Sequence, residues 1–200
     1  MKKNKKLFVL VALFLAVFAV GGTLAYLTDT SEEATNTFKF GAVDITLTEP
    51  NWNATTAGDI VPGQNVAKDP TVKVETDSKD AFVFVKVTIP RGTAGGNTAD
   101  LFTVGTLGSG WTDVTSSITG LQAGEYVYAY GTASAMTSVT KNTTLPAVFS
   151  SVTANANLTE SEIADLTNRS ADIVVNAYAI QAEGLTGGTT PAAVWTALGL

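Results

Sequence analysis

The stretch Ala81–Ile89, with the sequence AFVFVKVTI, places the strongest constraint on the fold. Successive side chains of a β-strand point to opposite faces, so one face carries three valines and Ile89 while the other carries Phe82 and Phe84. A short run rich in β-branched and aromatic residues favours a strand over a buried helix, and Pro90 ends it. Apolar side chains on both faces predict a central strand of a sheet that is covered on each side.

Further strands are predicted before and after this segment. They are Phe38–Thr48, kinked at Gly41-Ala42, and Thr71–Glu75, Phe102–Leu107, Trp111–Ser116, Glu125–Tyr130, Thr144–Val152 and Ala171–Gln181. Thr144–Val152 is expected at a sheet edge because Pro146 has no N–H to donate, whereas Ala171–Gln181 is apolar enough to be central. Loops are expected at Glu49–Gly63 and at the glycine-rich Arg91–Ala99.

Two short helices complete the predicted elements. Thr159 and Glu162 have the spacing of a capping box and begin a helix that ends near Leu166. Thr190 followed by Pro191 begins a second helical turn near the C-terminus. Short strands separated by turn signals, with these helices, predict an all-β fold, a jelly-roll-like β-sandwich over residues 38–200.

The N-terminus has the parts of a secretory signal peptide. Four lysines within the first six residues precede the apolar run Leu7–Val20, which small residues follow. A signal peptidase admits compact side chains at the first and third positions before the cut, and Thr23 and Ala25 meet that requirement. Cleavage is therefore expected between Ala25 and Tyr26, so that residues 1–25 are a cleaved signal peptide. An uncleaved anchor that extends to Leu27 is the alternative, because a membrane span takes roughly 20 apolar residues.

Composition excludes several classes of function. Without the four lysines of the signal, 8 basic residues face 18 acidic ones, a net charge of −10, which argues against nucleic acid or anionic lipid as a partner. The chain has no cysteine and no histidine. It therefore lacks a thiol nucleophile, a Ser-His-Asp triad, a zinc-thiolate site and a His-Glu-x-x-His zinc site. These absences predict a non-catalytic protein without a cofactor.

Residues 26–37, YLTDTSEEATNT, form a polar and acidic segment that directly follows the expected cleavage site. The segment has little apolar surface to bury, and Leu27 is nearly its only aliphatic residue. It is interpreted either as a tether or as a segment that becomes ordered on meeting a partner.

Three features suggest binding sites, and each also has a structural interpretation. Tyr126, Tyr128 and Tyr130 share one strand face, which fits a sugar- or peptide-binding stripe but fits better an aromatic ladder that covers a core. The acidic residues Glu75, Asp77 and Asp80 suggest a calcium loop or a solvated turn, without the twelve-residue calcium pattern. The glycine-rich Arg91–Ala99 lacks the phosphate-binding G-x-x-x-x-G-K-[ST] pattern.

Three stretches together resemble a known family. They are Gly21–Asp29 directly after the apolar run, Asn36–Gly41 leading into Val43-Asp44-Ile45, and Val61–Gln64. With them the chain is similar to the camelysin and TasA family, the biofilm-matrix proteins of Gram-positive bacteria that are exported through a SipW-type signal peptidase.

The resemblance implies a jelly-roll subunit that is secreted to the extracellular matrix or cell surface and polymerises head to tail into fibres. The segment Tyr26–Thr37, led by Tyr26, Leu27, Thr28 and Asp29, would be the donor strand that completes a neighbour's sheet. The implied partners are other copies of the chain, the SipW-type peptidase and an accessory matrix protein, with membrane contact only before cleavage. A cell-surface glycan- or peptide-binding module is the alternative. The secreted metallopeptidase activity of camelysin is less favoured, since no histidine is present to bind zinc.

Overall fold

The computed structural model describes residues 42–52, 60–167 and 172–199. The predicted signal peptide, the segment 26–37 and the first part of the predicted strand Phe38–Thr48 lie outside these ranges. No helix in the described ranges is long and apolar enough to cross a membrane.

The described chain is all-β with few helices, as predicted. The strands are β1 Ile45–Thr48, β2 Asn65–Ala67, β3 Thr71–Val74, β4 Ala81–Thr88, β5 Arg91–Ala94, β6 Asn97–Asp100, β7 Phe102–Val104, β8 Trp111–Asp113, β9 Glu125–Tyr130, β10 Thr143–Thr144, β11 Ser151–Ala154 and β12 Val174–Gln181. They form antiparallel sheets with the orders β1-β3-β10, β2-β11-β7, β12-β4-β9-β8 and β5-β6. The helices are α1 Glu160–Thr167 and α2 Pro191–Leu198, and a short 3-10 turn spans Thr115–Ser117.

The four-stranded sheet β12-β4-β9-β8 is the middle of the fold, and β4 has a strand on each side as its sequence predicted. Val83 and Val85 contribute to a first core that this sheet shares with the strands of the two three-stranded sheets. Phe82 and Phe84, on the opposite face of β4, belong to a second core. The alternation of side chains along one strand thus places an apolar layer on each face of the sheet.

The second core is closed by α2. Its residues Val194 and Trp195 are buried, and the Trp195 ring packs edge-on against Phe84 and Tyr178, with centroids 5.2 and 5.6 Å apart. Thr190 caps the helix by accepting a hydrogen bond from the N–H of Ala193, and Pro191 occupies the first turn, where no N–H partner is required.

The predicted cap of α1 is confirmed, with the helix ending one residue later than expected, at Thr167. The N–H of Thr159 donates to the carboxylate of Glu162 at 2.8 Å, the reach-back contact of a capping box. The Thr159 hydroxyl also donates to this carboxylate, at 2.8 Å.

The prediction of a loop at Arg91–Ala99 was wrong. β5 and β6 form a hairpin there, joined by Gly95 and Gly96, whose φ angles are +59° and +81°. Two successive positive φ angles are those of a type I′ turn, whose twist matches the strands that it joins, and glycine adopts them without strain. The short strand β2 was also not predicted; it lies between the predicted loop Glu49–Gly63 and the predicted strand Thr71–Glu75.

Two strand predictions need correction. Thr144–Val152 is not one edge strand: it holds the end of β10, an isolated bridge at Phe149 and the start of β11. Pro146 interrupts it, because a residue without an N–H cannot continue the ladder. β12, predicted to be central, lies at the end of its sheet, and its first residue Val174 is 47% exposed.

Candidate functional site

The residues predicted from the sequence to carry processing and assembly lie outside the described ranges. These are Thr23, Ala25, Tyr26, Leu27, Thr28 and Asp29. Strand addition would also require an open sheet edge that accepts this segment. Such an edge would belong to the described domain.

The outer side of β12 is the longest sheet edge among the described strands. β12 has eight residues, whereas the other strands that end the three larger sheets have two to four. Its sequence, VVNAYAIQ, contains no charged residue and no proline, the side chains with which proteins usually protect an edge. Among the described strands, none pairs with this outer side.

The backbone groups on this edge follow from the register with β4. The N–H of Ala182 donates to the carbonyl of Asp80 at 2.9 Å, which continues the pairing of Gln181 with Ala81. In an antiparallel ladder the hydrogen-bonded residues alternate, so even-numbered residues of β12 face β4. Val175, Ala177, Ala179 and Gln181 therefore direct their N–H and C=O groups away from the sheet.

β1 lies close to β12. Its Cα atoms approach those of β12 within 8 Å, but no backbone pairing joins the two strands. Ile45 and Leu47 of β1 and the side chains of Val175, Ala177 and Ala179 pack against the first core. Part of that core thus lies just behind the open edge.

A cavity of 320 Å³ lies at the beginning of β12. Its lining combines the apolar residues Trp52, Ile60, Val66, Phe102, Val152 and Ile173 with the charged residues Glu49, Lys68 and Asp172. Its cation, Lys68, is neutralised by Glu49 at 2.8 Å and lies 4.8 Å from the centre of the Trp52 ring. The cavity suits an apolar side chain better than an additional charge, because its buried lysine already has a carboxylate partner.

A wider groove of 730 Å³ lies at the other end of β12. It is polar, and its lining includes Lys79, Asp80, Lys141, Gln181 and Glu183. One carboxylate oxygen of Asp80 accepts a hydrogen bond from the N–H of Lys141 at 3.1 Å. The lining of the cavity thus has six apolar and three charged residues, whereas that of the groove has two apolar and five charged residues.

The acidic residues considered for calcium do not form an ion site. Within the described ranges no group of three acidic side chains is close enough to hold a metal ion. Glu75 instead accepts hydrogen bonds from Lys73 at 2.6 Å and from Thr46 at 2.7 Å, which hold its pKa below the usual value.

The tyrosine stripe of β9 packs against the first core, as its structural interpretation predicted. Tyr128 is 1% exposed, and Tyr130 packs edge-on against Trp111 with centroids 5.4 Å apart. The Tyr126 hydroxyl donates to Asp100, and this bond, together with burial, raises the pKa of Tyr126 to about 12. A stripe packed in this way offers little ring surface to a sugar or peptide.

The glycine turn of the β5–β6 hairpin already holds an anion from its own chain. Gly95 and Gly96 donate their N–H groups to the Glu162 carboxylate at 3.2 and 3.1 Å. Hydrogen bonds from backbone N–H groups lower the pKa of Glu162 to about 2; the bond from Thr159 has the largest effect and the bond from Gly96 the next largest. The turn that was considered for phosphate is thus a structural link to α1, which the spacing of glycines did not reveal.

No protein-family profile matches the chain, and comparison with curated proteins and with solved structures gives no match either.

Proposed function

We propose that the chain is a secreted, non-enzymatic structural subunit of extracellular fibres in a biofilm matrix or on a cell surface. In this proposal the domain is a jelly-roll-like β-sandwich, and a SipW-type signal peptidase cuts after Ala25. The liberated segment Tyr26–Thr37 of one copy then adds as a strand to the outer edge of β12 in the next copy. The observation that carries the proposal is this uncharged eight-residue edge, which no described strand covers.

Strand addition gives affinity through main-chain hydrogen bonds and specificity through alternate side chains. Four residues of β12 direct their backbone groups outward, so the edge offers donors and acceptors at regular spacing. An eight-residue strand is about 26 Å long at the usual rise per residue. The twelve residues from Tyr26 to Thr37 are sufficient to span it.

The contact is heterologous, because the segment of one copy meets a different surface of the next. A heterologous contact that does not close into a ring produces a filament. Before cleavage the same segment is attached to the membrane through its signal, which delays assembly until export. The resemblance to the camelysin and TasA family, carried by Gly21–Asp29 and Asn36–Gly41, supports the same proposal.

Electron microscopy of two purified chains tests it. A chain that begins at Tyr26 is expected to form fibres, and a chain that begins at Phe38 is expected to remain monomeric. A mixture of the two controls for misfolding of the shorter chain, since a folded acceptor without a donor is expected to shorten the fibres by capping them. A Tyr26 chain that stays monomeric at every concentration and pH would contradict the proposal.

A further inference from the structure

A strand added to the outer edge of β12 would meet a different site at each end. The cavity at the beginning of β12 is lined by Trp52, Ile60 and Ile173, and the groove at its end includes Lys79 and Lys141. A strand can run parallel or antiparallel to β12, and each direction brings different side chains to these two sites.

We infer that the segment 26–37 of a second copy runs parallel to β12, with Leu27 in the cavity at the beginning of β12 and Glu32 and Glu33 at the polar groove. The inference depends on the proposed function and specifies its contact. It names the anchor residue, the pocket that receives it and the direction of the strand.

The lengths agree with this arrangement. Seven residue steps separate Val174 from Gln181, and seven also separate Tyr26 from Glu33. With Tyr26 opposite Val174, Leu27 lies beside the cavity that Ile173 lines, while Glu33 lies opposite Gln181 at the groove. Because successive side chains alternate, Leu27 enters the cavity while Tyr26 covers Val174, which is 47% exposed.

The antiparallel direction places the wrong chemistry at both ends. It brings Glu32 and Glu33 to the end of β12 beside the cavity, and alternation turns one of the two carboxylates into it. There Lys68 is already paired with Glu49 at 2.8 Å, and Asp172 contributes a second carboxylate to the lining. A carboxylate transferred there loses hydration without gaining a free cation. It also places Leu27 in the charged groove. Parallel pairing is slightly less stable per residue than antiparallel pairing, but that difference is small beside the desolvation of a charge.

The polar groove accommodates the acidic end of the segment better than the cavity does, because it is wider and contains two lysines, Lys79 and Lys141. It also contains acidic groups, Asp77, Asp80 and Glu183. Asp80 is engaged with the N–H of Lys141 at 3.1 Å. The groove thus tolerates Glu32 and Glu33 as solvated charges, whereas the cavity selects for Leu27.

The chain's own segment is the competing occupant. The carbonyl of Ala42 accepts a hydrogen bond from the N–H of Lys79 at 3.2 Å, so the chain enters the described domain at the polar end of β12. A segment that folded back from there would also run parallel to β12. The experiment therefore has to distinguish contacts between copies from contacts within one copy.

Thiol cross-linking makes that distinction, because the chain contains no cysteine. The chain beginning at Tyr26 is prepared as the single variants Thr28→Cys, Asn176→Cys and Gln181→Cys, and pairs are co-assembled and treated with a short bifunctional thiol reagent. Positions 176 and 181 are about 17 Å apart along the strand, so the reagent separates the two directions. We expect covalent dimers from T28C with N176C and few from T28C with Q181C. Each single variant alone gives the background.

The reverse pattern, T28C with Q181C, would overturn the inferred direction. Fibres that form without a cross-link to either position would place the acceptor elsewhere. A chain carrying both T28C and N176C that cross-links within the monomer at high dilution would assign the edge to its own segment. Failure of the unsubstituted chain to form fibres would instead contradict the proposed function. Leu27→Asp is expected to raise the concentration needed for assembly at least tenfold, whereas Thr98→Asp, at an exposed position of β6 away from the β12 edge, leaves it unchanged.

Discussion

A proline at position 177 tests the β12 edge without disturbing the sheet behind it. Ala177 pairs with Val85 of β4, but the alternation set by the Ala182–Asp80 hydrogen bond directs its own N–H outward. Ala177→Pro therefore removes a donor from the edge and none from the β4–β12 ladder. Proline is tolerated in edge strands at positions of this kind.

The expected effect follows from the carbonyl that loses its partner. A buried acceptor left unsatisfied costs about 1–3 kcal/mol. At 1.4 kcal/mol for each factor of ten, the critical concentration for fibre formation rises about fivefold to about a hundredfold. Sedimentation of assembled protein measures this concentration. The matched control is Ala177→Val, which keeps the N–H and is expected to assemble nearly as the unsubstituted chain does. Assembly of a folded Ala177→Pro chain at an unchanged critical concentration would refute the assignment of the edge.

Three further predictions concern the folded domain. The hydroxyl of Tyr128 is buried without a hydrogen-bond partner among the described residues, so Tyr128→Phe should raise the free energy of unfolding by about 1–3 kcal/mol in chemical denaturation; a decrease would show that the hydroxyl is bonded. Trp195→Ala should lower the free energy of unfolding by about 3–5 kcal/mol, because the ring closes the second core. Glu162→Gln should accelerate hydrogen exchange at the Gly95 and Gly96 amides. Because the pKa of Glu162 is lowered to about 2, its hydrogen bonds to Gly95 and Gly96 contribute fully to stability above the usual pKa of the carboxyl and weaken as the pH falls toward 2. NMR chemical shifts of the Gly95 and Gly96 amides that change near pH 4 would contradict this.

The features that were predicted correctly are those fixed by neighbouring residues. The two apolar faces of β4 follow from alternation over its own residues, and both helix caps follow from the pairs Thr159 with Glu162 and Thr190 with Pro191. The β5–β6 hairpin was missed because its strands, RGTA and NTAD, lack an apolar alternation. It is supported from a distance by Glu162, which no local pattern indicates.

The position of β12 illustrates the remaining limit. Its composition resembles that of β4, and on composition alone both strands were expected to be central. Whether a strand has one neighbour or two depends on the order of strands in the sheet, which is a property of the whole topology. The outer edge of β12 could therefore be identified as a candidate acceptor only from the structure, although the segment proposed to occupy it was identified from the sequence.

The lengths of the outer strands indicate what form the proposed assembly would take. The outer strands of the other large sheets are short, from two residues in β10 to four in β1, and short edges resist pairing with other chains. β12 alone among the described outer strands presents eight residues without a charge. In the proposed assembly, one long acceptor edge and one donor segment per subunit favour a single chain of contacts with a fixed direction. A second long edge would permit branching or sheet-like aggregation, so fibres of uniform width are expected, and a second class of lateral contacts seen by electron microscopy would contradict this reasoning.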